Sequence, residues 1–478
     1  MDLAFANSAA PITTAGPTGR FAKYLAAISI ETIDAFARRA ATRHLIDSLG
    51  AILAGSEEPA TRSAERALQA AGTGAGPVAM PGITHTYDAL HAAYVGGTSC
   101  HGLELDDGYR PGSVHPGAVV VPAALALGAV RGSSGRELLR ATVVGYEAVC
   151  RIAAAAHPRA RWRGFHNTGI AGVFGSAAAA SALLGLDAAG IENAFGVAGS
   201  SAAGLFAFLG GGDVKRTHPG HAAREGLLAA LLTQAGLLGP RGVLEFKEGF
   251  FNAFAGGDAD AVDYSAIDLL ACGDNNARSP FAVANCYLKP YACCRHIHPA
   301  IDAVLDICKN ENVTAGEIEN VSVGTYAVAA SHGHVGWSEM TTAQMSYPFS
   351  VATAIVRGHV DLNDFGDKER ADPAVLAMTR RINVAIDAEC DASYPRLRAA
   401  KVSLSTRDGR AFERYVPEPY GAASNPLSDA ALKAKFIGLA TKRVGQLRAL
   451  QAFDLLWNIE TLANLEPLLT LLRPMSPC

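Results

Sequence analysis

The chain has 478 residues, 49% of them apolar and 18% charged, with 49 glycines and a formal net charge of −4. That balance excludes a disordered or fibrous protein and leads to the expectation of a well-buried globular chain with more than one core. Without a basic stripe, nucleic acid is not an expected partner. The first twenty residues mix Asp2, Pro11, Pro17 and Arg20 and lack the apolar run of a signal peptide. Nine cysteines at irregular spacing fit reduced thiols better than a disulfide framework, so the cytoplasm is the expected compartment.

In chain order, residues 1–20 read as a loose lead-in. From Ser29 the apolar positions Ile33, Phe36, Ala37, Ala40, Leu45, Leu49, Ile52 and Leu53 recur at helical spacing and stop at Gly55. A helix over 60–71 follows, with Pro59 suited to its first turn, then a short extended piece at 77–81 and a helix from Ala89. Next comes a charged island, residues 101–117, holding His101, Glu104, Asp106, Asp107, Arg110 and His115 between apolar flanks. Charge between buried segments is paired or functional, because burying it alone is costly.

Helices are expected at 118–131 and at 134–157, the second opened by Ser134 with Glu137 as a capping box. A second island, Arg159 to Gly169, precedes an apolar helix at 170–186. A helix at 191–209 leads to a third island, Gly210 to His221, and then to a helix at 222–236. The apolar runs at 118–130 and 171–186 fall short of the roughly 20 residues a membrane span needs and read as buried helices, so no membrane partner is expected.

Strand patterning first appears at 318–328 and recurs at 382–386, 401–405 and 411–416, with Asp408-Gly409 as a hairpin turn. Helices at 299–310, 348–357 and 373–380 interleave with the strands, and the chain ends in helices at 430–445 and 450–472. The expected fold is mainly α. Residues 1–274 and 418–478 form a large all-helical domain from both chain ends, and 275–417 form a smaller α+β lid domain. The lid opens on a fourth island, Tyr287 to Asp302, with Lys289, Arg295, His296 and His298.

Together the islands offer Arg110, Lys215, Arg216, Lys289 and Arg295 as cations, His115, His166 and His296 as acid–base groups, and Asp106 and Asp107 to orient them. Cations in a cleft suit polyanionic substrates, and an arginine fork matches a carboxylate. The chain has no phosphate-binding Gly-Lys-Ser/Thr loop and no dinucleotide fingerprint, so no cofactor is expected. The His-x-His pairs at 296–298 and 332–334 lack a matching third ligand motif, so no metal is expected either.

The order of these motifs, Leu105-Asp106-Asp107 to His115-Pro116-Gly117, Gly164-Phe165-His166, Val214-Lys215-Arg216, Lys289-Pro-Tyr-Ala-Cys-Cys-Arg-His296-Ile-His298, Gly324-Thr-Tyr326 and Ser346-Tyr-Pro-Phe, resembles the MmgE/PrpD family. That family includes 2-methylcitrate dehydratases, cis-aconitate decarboxylases and iminodisuccinate epimerases. The resemblance implies a helical domain with a lid, a homodimer, and cofactor-free chemistry on a di- or tricarboxylic acid. By match to its motifs Asp106, Asp107, His115, His166, Lys215, Lys289 and Tyr326 would line the cleft. With the islands read above, the expected catalytic residues are Asp106, Asp107, His115, His166, Lys215 and Tyr326, and Lys289, Arg295, His296, Arg110 and Arg216 are expected to bind substrate. Two departures weigh against a decarboxylase: Cys294 stands where those members carry histidine, and the acidic motif starts with Glu104 and lies one residue further from His-Pro. The expected function is a hydro-lyase that abstracts a proton beside a carboxylate. An epimerase is the nearest alternative, then a decarboxylase, then a non-catalytic carboxylate binder.

Overall fold

The computed structural model describes residues 16–72, 76–256 and 279–475. The protein is mostly helical with a small sheet, and the chain divides into two compact units. Met1–Gly102, Asp106–Cys286 and Ala430–Cys478 make the first, and Leu103–Leu105 with Tyr287–Asp429 make the second. The boundary expected at 275 lies outside the described residues. The second unit runs on to Asp429, past the expected 417.

The first unit is helical because its apolar positions repeat at helical spacing between clear caps. Asp34 caps Ala35–Gly55 by accepting from the Ala37 amide at 2.9 Å. Ser134 and Glu137 form the expected capping box on Gly135–Ala156. The helices approach closely through small residues. A Cβ on Gly97 would lie 2.7 Å from the Gly220 Cα, and one on Gly220 or Gly226 would collide with the Tyr94 carbonyl or the Ser176 hydroxyl. Val214–Gln234 therefore lies at backbone distance from both Ala89–Cys100 and Gly172–Leu184, which sets its first turn beside the end of the Ala89–Cys100 helix. Asn167–Leu184 is long and apolar enough to cross a membrane, but nearly all of it is buried.

Several expected boundaries differ, each for a local reason. Pro17–Ala27 is a helix rather than lead-in: Pro17 suits its first position, and Phe21, Ala22 and Leu25 bury one face. The helix expected from Ala222 begins at Val214 and runs through Pro219, which removes only the bond to the Lys215 carbonyl one turn from the start. The helix expected over 191–209 is Ala188–Gly199 followed by a 3₁₀ turn, Phe206–Gly210, because the intervening segment includes Gly204 with φ 147°. The last expected helix divides into Gln446–Trp457 and Glu466–Leu471, the second started afresh by Pro467.

In the second unit the strand order is Ile382–Ile386, Ile318–Thr325, Ala400–Thr406, Ala411–Val416. The first pair is parallel and the others antiparallel. Gly409, with φ 88°, makes the expected turn into the last strand. Ile318, Val321 and Val323 bury one face of the inner strand, and the helix His298–Asn310 packs on the sheet. That strand ends at Thr325 rather than Val328, because Tyr326 starts the short helix Ala327–Ala330.

Candidate active site

The first unit gathers imidazoles around one carboxylate. His101 follows the last turn of Ala89–Cys100 and is fully buried. Its Nδ1–H donates to Asp106 Oδ2 at 2.7 Å, and its Nε2 is buried with no hydrogen-bond partner. His115 Nδ1 lies 2.7 Å from the Asp107 carbonyl and 3.2 Å from Asp106 Oδ2, which leaves Nε2 for chemistry. The His101 and His115 rings are 4.8 Å apart, and His166 lies 6.0 Å from His101. His166 is buried against Phe206 and Phe208 and shares a hydrogen bond of 3.0 Å with His218 Nδ1. Lys215, half-buried in the first turn of Val214–Gln234, sets its ammonium 5.7 Å from the Phe208 ring.

Electrostatics fix the protonation states. Burial, with the Lys215 and His115 charges, outweighs the opposing pull of Asp106 and lowers His101 to about 4. Burial, then the charges of His101, Lys215, His218 and His115, hold His166 well below the ordinary range. Burial, with His221 and Lys215, pushes His218 to about 4. Burial would raise Asp106, yet the two imidazoles bonded to it hold it well below the usual carboxylate range. At neutral pH an ionised Asp106 thus stands beside neutral His101, His166 and His218, and the carboxylate fixes the His101 tautomer so that Nε2 carries the lone pair. By donor type, His101, Asp106 and His115 could also hold a metal ion, although Asp106 Oδ2 already receives both Nδ1 contacts.

Stability should fall on acidification. His101 and His218 titrate near 4 when folded and near 6.5 when unfolded, so between those values the unfolded chain takes up protons that the folded one does not. Their contribution is complete above about 6.5 and is lost progressively toward pH 4. Asp106 adds a loss only below the ordinary carboxylate pKa, as pH falls toward its depressed folded value. Urea unfolding at pH 7.5, 6 and 5 should show falling midpoints; a flat profile would contradict these states.

Asp107 has a different role. Its carboxylate accepts from His44 Nδ1 at 2.6 Å, Tyr146 OH at 2.7 Å and the Gly117 amide at 2.9 Å. A Cβ on Gly117 would collide with Ser48 and come within 2.8 Å of Asp107 Oδ1, so glycine is what lets the helix start meet this carboxylate. The Asp107 backbone carbonyl meanwhile holds His115 Nδ1.

The second unit holds its own polar set. Lys289, 1% exposed, donates to the Glu104 carbonyl at 3.0 Å and to its carboxylate at 3.2 Å. His296 Nδ1 is hydrogen-bonded to Tyr326 OH. Tyr326 is fully buried and stacks on Tyr394 at 4.6 Å, and burial raises its phenol far above the ordinary value. Burial, then the positive charges of Arg398, His332 and Lys289, keeps His296 well below its usual value.

Residues 19–262 match the MmgE/PrpD N-terminal domain and residues 291–459 the MmgE/PrpD C-terminal domain. The chain belongs to the MmgE/PrpD family. Among its relatives, a cis-aconitate decarboxylase from Aspergillus terreus is 28% identical over 400 residues, covering 80% of this chain and 81% of that protein. A cis-aconitate decarboxylase-like protein from Aspergillus oryzae is 27% identical over 446 residues, covering 90% and 91%. The human cis-aconitate decarboxylase is 25% identical over 395 residues, covering 81% and 80%.

Of the residues singled out in this MmgE/PrpD chain, Asp106, His115, His166 and Lys215 come together in the first unit. Arg216 is 5% exposed and its guanidinium donates to the His101 carbonyl at 3.1 Å. Arg110 stands half-exposed on the turn closed by Tyr109 and Val114. In the second unit Arg295 is bonded to the Tyr420 and Pro419 carbonyls and to His298 and set over the Tyr287 ring. Lys289 is matched by Glu104 rather than exposed for a ligand. Sequence reasoning missed His101, His218 and Arg398 as members of these clusters. His101 and His218 stood inside the islands, but spacing alone does not say which histidine shares Asp106. No local pattern marked Arg398.

Proposed function

We propose that this protein is a cofactor-independent lyase that removes water from a hydroxylated di- or tricarboxylate. The observation that carries this reading is the buried Asp106–His101 pair, whose Nε2 lone pair has no partner among the described residues. A neutral imidazole of His101 or His115 takes the proton from the carbon beside a carboxylate. The electron pair passes into that carboxylate, and the Lys215 ammonium stabilises the charge that develops. The β C–O bond then breaks, the imidazolium returns its proton to the departing hydroxyl, and an alkene and water result. His166, held by His218, is the second base in reach of this chemistry. In the second unit the proposal is confined to His296 and Tyr326, and His296→Ala and Tyr326→Phe test whether that unit takes part in turnover.

Decarboxylation is the second reading, favoured by the names of the relatives at 25–28% identity. It requires an acid to quench the carbanion, and His101, lowered to about 4, and His166, held well below the ordinary range, are poor acids at neutral pH. Proton NMR of a panel of hydroxylated and unsaturated polycarboxylates separates the outcomes. The expected result is an alkene formed with loss of water, or its hydration in reverse. Release of carbon dioxide would establish the second reading, inversion without a new alkene an epimerase, and inertness toward every acid a binder. Exhaustive chelation should leave turnover unchanged, since carboxylate-held imidazoles supply the base without a metal; loss restored by iron or zinc would contradict this.

A further inference from the structure

We propose that the second unit carries a binding site for a thiophilic divalent cation of the zinc class, formed by Cys294, His296 and His332. One donor atom from each lies within 4.8 Å of the others. The two His-x-His pairs of the sequence each supply their first histidine, and the second does other work. His298 is buried and bonded to Arg295 and to the Cys293 carbonyl, while His334 is exposed. Cys294, on the segment that carries His296, is the third donor that neither pair provides by spacing.

The two histidines are held as metal ligands are held. His332 Nδ1–H donates to the Met345 carbonyl at 3.0 Å, which leaves the lone pair on Nε2. His296 Nδ1 is tied to Tyr326 OH. The Met345 carbonyl thus fixes the His332 tautomer, and both outer hydrogen bonds set ring direction before an ion arrives. The rings stand 5.6 Å apart and tilted by 30°. Zinc bonds of about 2.0–2.3 Å imply donors roughly 3.3–3.8 Å apart, so the side chains must close by about 1 Å. Both histidines are half-buried.

Two imidazoles and a thiolate suit zinc or its cobalt analogue and are a poor match for magnesium or calcium, which take oxygen ligands. Three protein ligands leave a fourth position for water. Binding replaces the thiol S–H bond with a sulfur–metal bond and releases that proton to solvent. The positive charge of Arg398 acts on His296 and opposes a cation there, so the thiolate is decisive for affinity. The site shares His296 with the second-unit pair tested for turnover above, whereas the proposed dehydration itself does not require the ion.

The test is anaerobic titration of the full-length protein with cobalt(II), followed by zinc. The expected result is a sulfur-to-cobalt charge-transfer band that saturates with one ion per chain and is abolished by zinc. Cys294→Ser should remove the band and His332→Ala should weaken binding by about tenfold or more, while Cys293→Ser keeps both, each variant being checked for native circular dichroism. Absence of a thiolate band in the native protein, or its persistence in Cys294→Ser, would overturn the proposal.

Discussion

Replacing Asp106 by asparagine should lower kcat by on the order of 10³-fold or more, with KM changing much less. Asp106 Oδ2 is the acceptor that holds Nδ1–H of His101 and contacts Nδ1 of His115. An amide has one acceptor and one donor at that place. If its NH₂ group faces His101, Nδ1 must accept, the proton moves to Nε2, and the lone pair that abstracts the substrate proton is gone. The side chain keeps its size, so packing around the fully buried position should survive. A purely structural role for Asp106 predicts activity falling only in proportion to the unfolded fraction. Kinetics beside a melting curve on the same preparation decide between the two.

Lys215→Met is the second large effect, expected to cut kcat/KM by on the order of 10²-fold, the range for losing one preorganised charge-stabilising donor. The half-buried ammonium depresses His101, His166 and His218 alike. Its removal should therefore also move the acid limb of the pH–rate profile upward, because the imidazoles then take up protons more readily. Thermal stability should hold or rise, since a charge kept partly out of water is removed. Unchanged kinetics would place Lys215 outside the site, and a clear drop in melting temperature would make it a structural ion.

Much of the fold was legible because local signals agreed with the final packing. The Ser134 capping box, the Asp408-Gly409 turn and the strands at 382–386 and 411–416 stand as read. What was not legible depended on distance in sequence. The Gly97–Gly220 approach, which brings the Lys215 turn to His101, has no local mark. Adjacent carboxylates read as equivalent, yet Asp106 faces the imidazoles while Asp107 is consumed by His44, Tyr146 and Gly117. Arg216, Lys289 and Arg295 read as ligand-holding cations because such groups in a cleft match carboxylates; the carbonyls and the carboxylate they are buried against come from distant segments that no local pattern marks.

The central claim is proton abstraction by an imidazole that Asp106 holds. Its most direct test is the reverse reaction in D₂O: incubate the unsaturated polycarboxylate with native protein, and follow the carbon beside the carboxylate in the hydrated acid by proton NMR. The native protein should place one deuterium at that carbon for each molecule hydrated, and Asp106→Asn should abolish hydration and deuteration together. Hydration without deuterium at that carbon, or undiminished deuteration in Asp106→Asn, would contradict the assignment.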